Sequence, residues 1–295
     1  SNIINMLDLA KIAPRRRDRT ADDPLIFMGG PCAYTPEPLA DIADFFIIGE
    51  GEEVNMEIYG LMAEHLQRHN GKIVRDELLG ELVKTEGVYI PEYYEAEYFE
   101  DGRLKSFTPI HPDAPQIIKK RLLKSMEGAY FPSKPIVPYL EVVHDRAVLE
   151  VLRGCTRGCR FCQAGVLYRP VREKSVEELK KQAVEIINNT GYDDVSLSSL
   201  STSDHTCVYG LLTALTDEFE KRNISVSLPS LRVDNFSVNL AQLVQKFKRS
   251  SITFAPEAGT QRLRDVINKG VTEKNLVDVS YSILKTVGTR LNYIS

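Results

Sequence analysis

The stretch Cys155-Thr156-Arg157-Gly158-Cys159-Arg160-Phe161-Cys162-Gln163-Ala164-Gly165 decides how this chain reads. Its three cysteines are separated by three residues and then by two. Thiolates this close can hold three irons of a cubane cluster and leave the fourth iron open to a ligand from elsewhere. The apolar run Val148-Leu149-Glu150-Val151-Leu152 leads into them and predicts a buried strand, out of which Arg153-Gly154 turns the chain. The cysteines then lie on a loop past a strand's carboxyl end, where open α/β sheets and β/α barrels place their chemistry. Phe161 would put an aromatic face beside the open iron. A zinc knuckle completed by His144 or His205 is the other reading, although zinc motifs usually show two separated pairs and no second pair occurs here.

Downstream, strand and helix patterns alternate. Ser175-Val176-Glu177-Glu178 reads as a capping box, and Val176, Leu179, Ala183, Ile186 and Ile187 form one face of a helix that Gly191 stops. Strands are expected at Asp194–Leu197, Ile224–Leu228, Ser251–Ala255 and Arg290–Ile294. Helices are expected from Cys207 to Arg222, from Val238 to Phe247, and after a Thr272 cap. Parallel neighbours in this order predict a β/α barrel of the TIM type. Ending on a bare fifth strand would leave an open edge, so the barrel is expected to be incomplete in this sequence.

Upstream, Leu25–Met28 and Phe45–Ile48 read as strands ending in Gly29-Gly30-Pro31-Cys32 and Gly49-Glu50-Gly51-Glu52-Glu53. Short and long helices are expected at Glu37–Ala43 and from Glu53 to about His69. Strand, helix, strand, helix implies a parallel sheet with ligand-facing loops. The run Arg15-Arg16-Arg17-Asp18-Arg19 reads as a solvated loop. An aromatic stretch, residues 92–100, and residues 103–107 flank Asp101-Gly102 and predict a hairpin. The expected domains are 1–70, 71–145 as a connector with the hairpin, and 146–295.

The 295 residues are 43% hydrophobic and 26% charged with a formal charge of −4, which gives no electrostatic case for nucleic acid or anionic membrane as a general partner. No apolar run approaches the ~20 residues of a membrane helix. Five cysteines, three of them in one motif, argue against a disulfide framework and for a cytoplasmic location.

The cysteine motif, with Phe161 before Cys162 and Gly165 after it, resembles the signature of the radical S-adenosylmethionine (radical SAM) superfamily. With Gly29-Gly30-Pro31-Cys32-Ala33, Gly49-Glu50-Gly51-Glu52, Ser198-Ser199-Leu200-Ser201 and Ala255-Pro256-Glu257-Ala258-Gly259, the chain resembles an uncharacterised, YgiQ-like family of that superfamily. In that family a cobalamin-binding-type, Rossmann-like domain precedes the radical SAM core. The resemblance implies an α/β fold in which a partial Rossmann-like domain is followed by an incomplete radical SAM barrel. It implies a 4Fe–4S cluster on Cys155, Cys159 and Cys162, and S-adenosyl-L-methionine (SAM) as cosubstrate. Reductive cleavage of SAM would then give a 5′-deoxyadenosyl radical. By the same resemblance Phe161 packs near adenine, and Ser198, Ser199 and Glu257 face the methionyl ammonium. Arg232 meets the ribose or carboxylate side, and Lys269, in place of the family's arginine, meets the carboxylate. A low-potential donor such as flavodoxin or ferredoxin is the implied partner. Cobalamin is doubtful, because such domains bind it through an early histidine and no histidine precedes His65. Methylthiotransferase-like modification of RNA or protein is an alternative, although only Cys32 lies upstream of the motif. A non-catalytic iron–sulfur or zinc module is another.

Overall fold

The protein is described by a computed structural model covering residues 2–140, 142–228, 231–234, 252–287 and 291–293. The helix expected from Val238 to Phe247 lies outside the described residues. The chain forms two compact units, Ser1–Lys124 and Ser125–Ser295.

In the first unit, helix α1 (Asn2–Leu9) buries only Leu7. Strand β1 (Phe27–Met28) pairs in parallel with β2 (Phe45–Ile47). Only Glu37–Leu39 of the expected connecting helix forms, as a single 3-10 turn. Helices α2 (Gly51–Arg68) and α3 (Arg75–Leu82) follow, and β3 (Val88–Tyr89) adds to β2 in antiparallel sense. The hairpin is β4 (Tyr94–Tyr98) against β5 (Leu104–Pro109), with Tyr94 stacked on Phe107 at 5.2 Å between ring centres. The core gathers Phe45, Phe46, Val54, Ile58, Leu78, Leu79 and Leu82, all nearly inaccessible to solvent. Each such side chain contributes on the order of 2 kcal/mol by leaving water.

Three features here were not foreseen from the sequence. The Arg19 side chain is buried rather than solvated: it pairs with Asp44 at 2.6 Å and also donates to the Ile42 carbonyl. Desolvation lowers its pKa, and the Asp44 charge opposes that shift. The inward face of α2 includes His65, whose ring is sealed from solvent. Its Nε2 accepts the Val74 N–H at 3.0 Å, so the proton of the neutral ring sits on Nδ1. Although His65, His69 and Glu77 bring ligand atoms within 4.8 Å of one another, His65 keeps no lone pair for a metal. Finally, Gly49 adopts φ +126° and lies against the chain's own backbone. A Cβ there would meet the Arg121 carbonyl oxygen at 2.2 Å. The Arg121 N–H bonds Ile48, the Glu50 N–H bonds Arg121, and the Glu50 carboxylate takes the Leu123 N–H at 2.6 Å.

The second unit carries a parallel sheet of β6 (Ala147–Glu150), β9 (Asp194–Ser198) and β10 (Ser225–Ser227), with β9 in the middle. Between β6 and β9 the chain makes an antiparallel pair, β7 (Leu152–Arg153) with β8 (Arg172–Glu173), then helix α5 (Val176–Thr190). A single-turn helix, α4 (Ala164–Leu167), sits inside that excursion, and α6 (Val208–Phe219) links β9 to β10. Strands β11 (Ile252–Phe254) and β12 (Leu291–Tyr293) pair in parallel, joined through helices Gln261–Val266 and Glu273–Val287. Leu149, Val151, Val195, Leu197, Leu211, Leu212, Leu215 and Phe219 close the core between sheet and helices. The fold class is therefore α/β with a parallel core sheet, as the alternation of patterns implies.

Local signals act here with small changes. The Ser175 hydroxyl accepts the Glu178 N–H at 3.2 Å, half of a capping box. The other half is supplied from afar: Glu127, not Glu178, takes the Ser175 N–H, while Glu178 accepts from Gln182 at 2.7 Å. Gly191 ends α5 at φ +76°. The leading strand is not buried throughout, because Val148 is about half exposed while Ala147 and Leu149 face the core.

Candidate metal and cofactor site

The cysteine loop leaves the sheet at the carboxyl end of β6. Val151 extends the pairing by donating to the Ser198 carbonyl at 3.0 Å. Arg153 is clamped by Glu150 through two bonds of 2.9 and 2.8 Å. The next residue must be glycine: Gly154 has φ +93°, and a Cβ would stand 2.6 Å from the Tyr168 carbonyl oxygen. The β7–β8 pair then closes the base of the loop. A Cys162 N–H to Cys159 C=O bond of 3.1 Å makes a tight turn between two of the thiols.

A second segment grips the loop from the side. Arg160 donates through its backbone N–H to the Ile267 carbonyl at 2.9 Å and through its guanidinium to the Val266 carbonyl. Asn268 donates to the Gly158 carbonyl at 2.8 Å. This segment carries Lys269, which thereby reaches the cysteines from the opposite end of the sequence.

Cys155, Cys159 and Cys162, all partly exposed, line one cavity of about 180 Å³ with Arg157, Phe161, Leu200, Arg232, Glu257 and Lys269. Of the expected SAM contacts, Phe161, Arg232, Glu257 and Lys269 are thus brought together with the thiols. Ser198 and Ser199 are not in that lining. Ser198 ends β9, and the Ser199 hydroxyl meets that of Thr202 at 2.8 Å; Leu200 takes the place at the cavity wall. Glu257 and Lys269 bond each other at 2.9 Å. Glu257 holds φ +67°, a left-handed backbone that costs a non-glycine residue roughly 1–3 kcal/mol and that clusters at functional sites.

Arg157 and Arg232 were not both foreseen. Arg157 binds Asp204 through two bonds, 2.9 and 2.5 Å, and Asp234 at 3.2 Å. Asp234 also holds Arg232 at 3.0 and 2.9 Å. Burial opposes ionisation of Asp204, but the hydrogen bonds from Arg157 and Ser201 and the charges of Arg157 and Arg232 together hold the carboxyl below its ordinary pKa. Burial likewise works against the Arg232 charge, and Asp234 more than offsets it. No spacing rule links residue 157 to 204 and 234; the signal was an aspartate on each of the loops after two successive strands.

The donor set fits an iron–sulfur cluster better than the zinc alternative through His205. That ring is buried with both nitrogens engaged: Nδ1 accepts the Cys207 N–H at 3.1 Å, and Nε2 lies 3.0 Å from the Lys174 carbonyl. Three soft thiols with one open side, beside an acid and a base 2.9 Å apart, suit a cluster and a zwitterion.

Residues 149–285 match the radical SAM superfamily, and residues 1–91 match the N-terminal region of radical SAM proteins. The chain belongs to the radical SAM superfamily. The superfamily implies a 4Fe–4S cluster and SAM as the cofactors. The uncharacterized protein MJ0966 of Methanocaldococcus jannaschii is 29% identical over 253 residues, 85% of this chain and 46% of that protein. Two solved radical SAM structures share the fold. The cobalamin-dependent radical SAM enzyme OxsB, with aqua-cobalamin bound, aligns with a TM-score of 0.58 at 14% identity, over 99% of this chain and 38% of that one. The radical SAM methyltransferase TsrM from Kitasatospora setae, with cobalamin and a [4Fe-4S] cluster bound, aligns with a TM-score of 0.56 at 13% identity, over 91% and 50%. The chain thus spans half or less of the length of each of these proteins. No described helix of this radical SAM protein is long and apolar enough to cross a membrane.

Proposed function

We propose that this protein is a radical SAM enzyme whose cluster is held by Cys155, Cys159 and Cys162. The observation that carries the reading is the shared cavity: three thiols, Phe161, Arg232 and the Glu257–Lys269 pair converge from four separate segments. When bound, the cluster supplies one low-potential electron to SAM, whose cleavage yields methionine and a 5′-deoxyadenosyl radical that takes a hydrogen atom from the substrate. The chain's own residues then orient the cosubstrate. Glu257 accepts from the methionyl ammonium, Lys269 donates to the carboxylate, and Phe161 packs against adenine. The Glu257–Lys269 bond must part for this, since each group exchanges its partner for the opposite charge of the zwitterion. That opening also enlarges a cavity of about 180 Å³, below the roughly 300 Å³ of ordinary ligand pockets.

A flavodoxin- or ferredoxin-type donor supplies the electron, in a cytoplasmic setting, and an RNA or a protein is a substrate class consistent with the methylthiotransferase-like alternative. Cobalamin is not part of this reading: the strand end at Gly49 and Glu50 is taken up by the Arg121 and Leu123 backbone.

The test is anaerobic reconstitution of the full-length protein with iron and sulfide, then reduction with SAM present. 5′-Deoxyadenosine is released, and Cys159→Ala abolishes it. Uptake of a closed four-ligand zinc ion in place of the cluster, or undiminished release by Cys159→Ala, overturns the reading.

A further inference from the structure

We propose that Arg157 is a positioning residue that ties the cysteine loop to the loops after β9 and β10 and, through Asp204 and Asp234, sets the charge presented to the cluster. The inference rests on the radical SAM reading above. Arg157 stands between Cys155 and Cys159, inside the motif itself. Its three bonds reach two carboxylates on two different loops, in the fixed planar geometry of a guanidinium fork that a lysine ammonium does not impose.

Solvent exposure separates this from an ordinary surface ion pair. The Arg157 side chain is 30% exposed, Asp204 16% and Asp234 14%, so the pairing is screened less than that of fully exposed ions. The result is an alternating chain, Asp204–Arg157–Asp234–Arg232. Its cations and its carboxylates are placed differently. Arg157 and Arg232 line the cavity of the thiols, whereas neither aspartate does. The cations are presented to the sulfurs and the carboxylates stand behind them.

A cluster on three thiolates becomes more negative on reduction, and its potential responds to nearby charge and solvent exposure. Removing a facing cation and removing a carboxylate behind it must therefore move the potential in opposite directions. A tie without an electrostatic role would loosen the same loop in both variants and give no opposed shift.

The experiment is a potentiometric titration, read by electron paramagnetic resonance, of the reconstituted full-length protein without SAM. Arg157→Gln is expected to shift the midpoint downward and to lower iron content, and Asp204→Asn to shift it upward at full iron content. Shifts of the same sign, or none, overturn the proposal while a wild type that loads its cluster leaves the radical SAM reading standing. A wild type that forms no 4Fe–4S cluster overturns both. If Arg157→Gln takes up no iron, Asp204→Asn and Asp234→Asn decide: upward shifts support the proposal, and unchanged or downward midpoints reject it.

Discussion

Both units end a strand in a glycine that a side chain could not replace, yet the two strand ends do opposite things. At Gly49 the space is filled by the chain itself, since Arg121 runs alongside and Glu50 takes the Leu123 N–H. At Gly154 the chain closes on the Tyr168 carbonyl and swings the intervening residues outward, where three thiols meet a charged cavity. The lesson is that a glycine at a strand end reports close backbone approach and not what approaches. The ligand argument comes from the chemistry of the neighbouring side chains: thiols and an acid–base pair in one unit, backbone and a buried carboxylate in the other.

Exchanging the two glycines in turn is the sharpest way to break the contrast. Gly154→Ala forces a Cβ to within 2.6 Å of backbone at a positive φ, and since the base of the cysteine loop is what moves, it should abolish cluster loading, measured as iron and sulfide per chain. Gly49→Ala meets backbone at 2.2 Å. It is expected to lower unfolding stability by about 3 kcal/mol or more, seen in denaturant melts of the first unit's signal, while iron uptake by the second unit persists. Loss of iron with Gly49→Ala and retention with Gly154→Ala would invert the assignment.

The contrast also shows what could be read from sequence. The cysteine loop, β9, α5 with its Ser175 cap and Gly191 stop, and the Asp101-Gly102 hairpin were legible because each is decided by residues within a few positions of one another. Glu257 and Lys269 were legible as a pair through the family resemblance, and both line the cavity with the thiols. What stayed hidden depends on distant partners. Arg19 is buried because Asp44 and the Ile42 carbonyl receive it, His65 because Val74 donates to it, and Gly49 because Arg121 lies beside it. The serines after β9 show a local partner that the sequence reading did not weigh: hydroxyl chemistry suggested a ligand contact at Ser199, and its hydroxyl also meets that of Thr202 at 2.8 Å.

A smaller effect sharpens the comparison inside the second unit. Glu257→Gln keeps the shape of the side chain but removes the charge that pairs with Lys269. A charge-assisted bond is worth about 1.5–3 kcal/mol, so SAM affinity, measured calorimetrically on the cluster-loaded protein, should fall roughly tenfold or more. The fold should hardly change, because the pair is small and part-exposed. Unchanged affinity would return Glu257 to an ordinary turn residue and leave its left-handed backbone without a functional reason.

The smallest effect concerns pH. Burial raises the pKa of Asp204, but the hydrogen bonds from Arg157 and Ser201 and the charges of Arg157 and Arg232 together outweigh it, so the folded value lies below the unfolded one. A depressed carboxyl stabilises the fold above its unfolded pKa, near 3.9, and that contribution is lost as pH falls through the lower folded value. The iron-free protein should therefore lose stability below about pH 4 more steeply than Asp204→Asn, which carries no such proton-linked contribution. Equilibrium unfolding between neutral and acid pH measures the difference. Parallel acid limbs for the two proteins would mean that the Arg157–Asp204 contact contributes nothing to folding and that its role lies wholly in the charge it presents to the thiols.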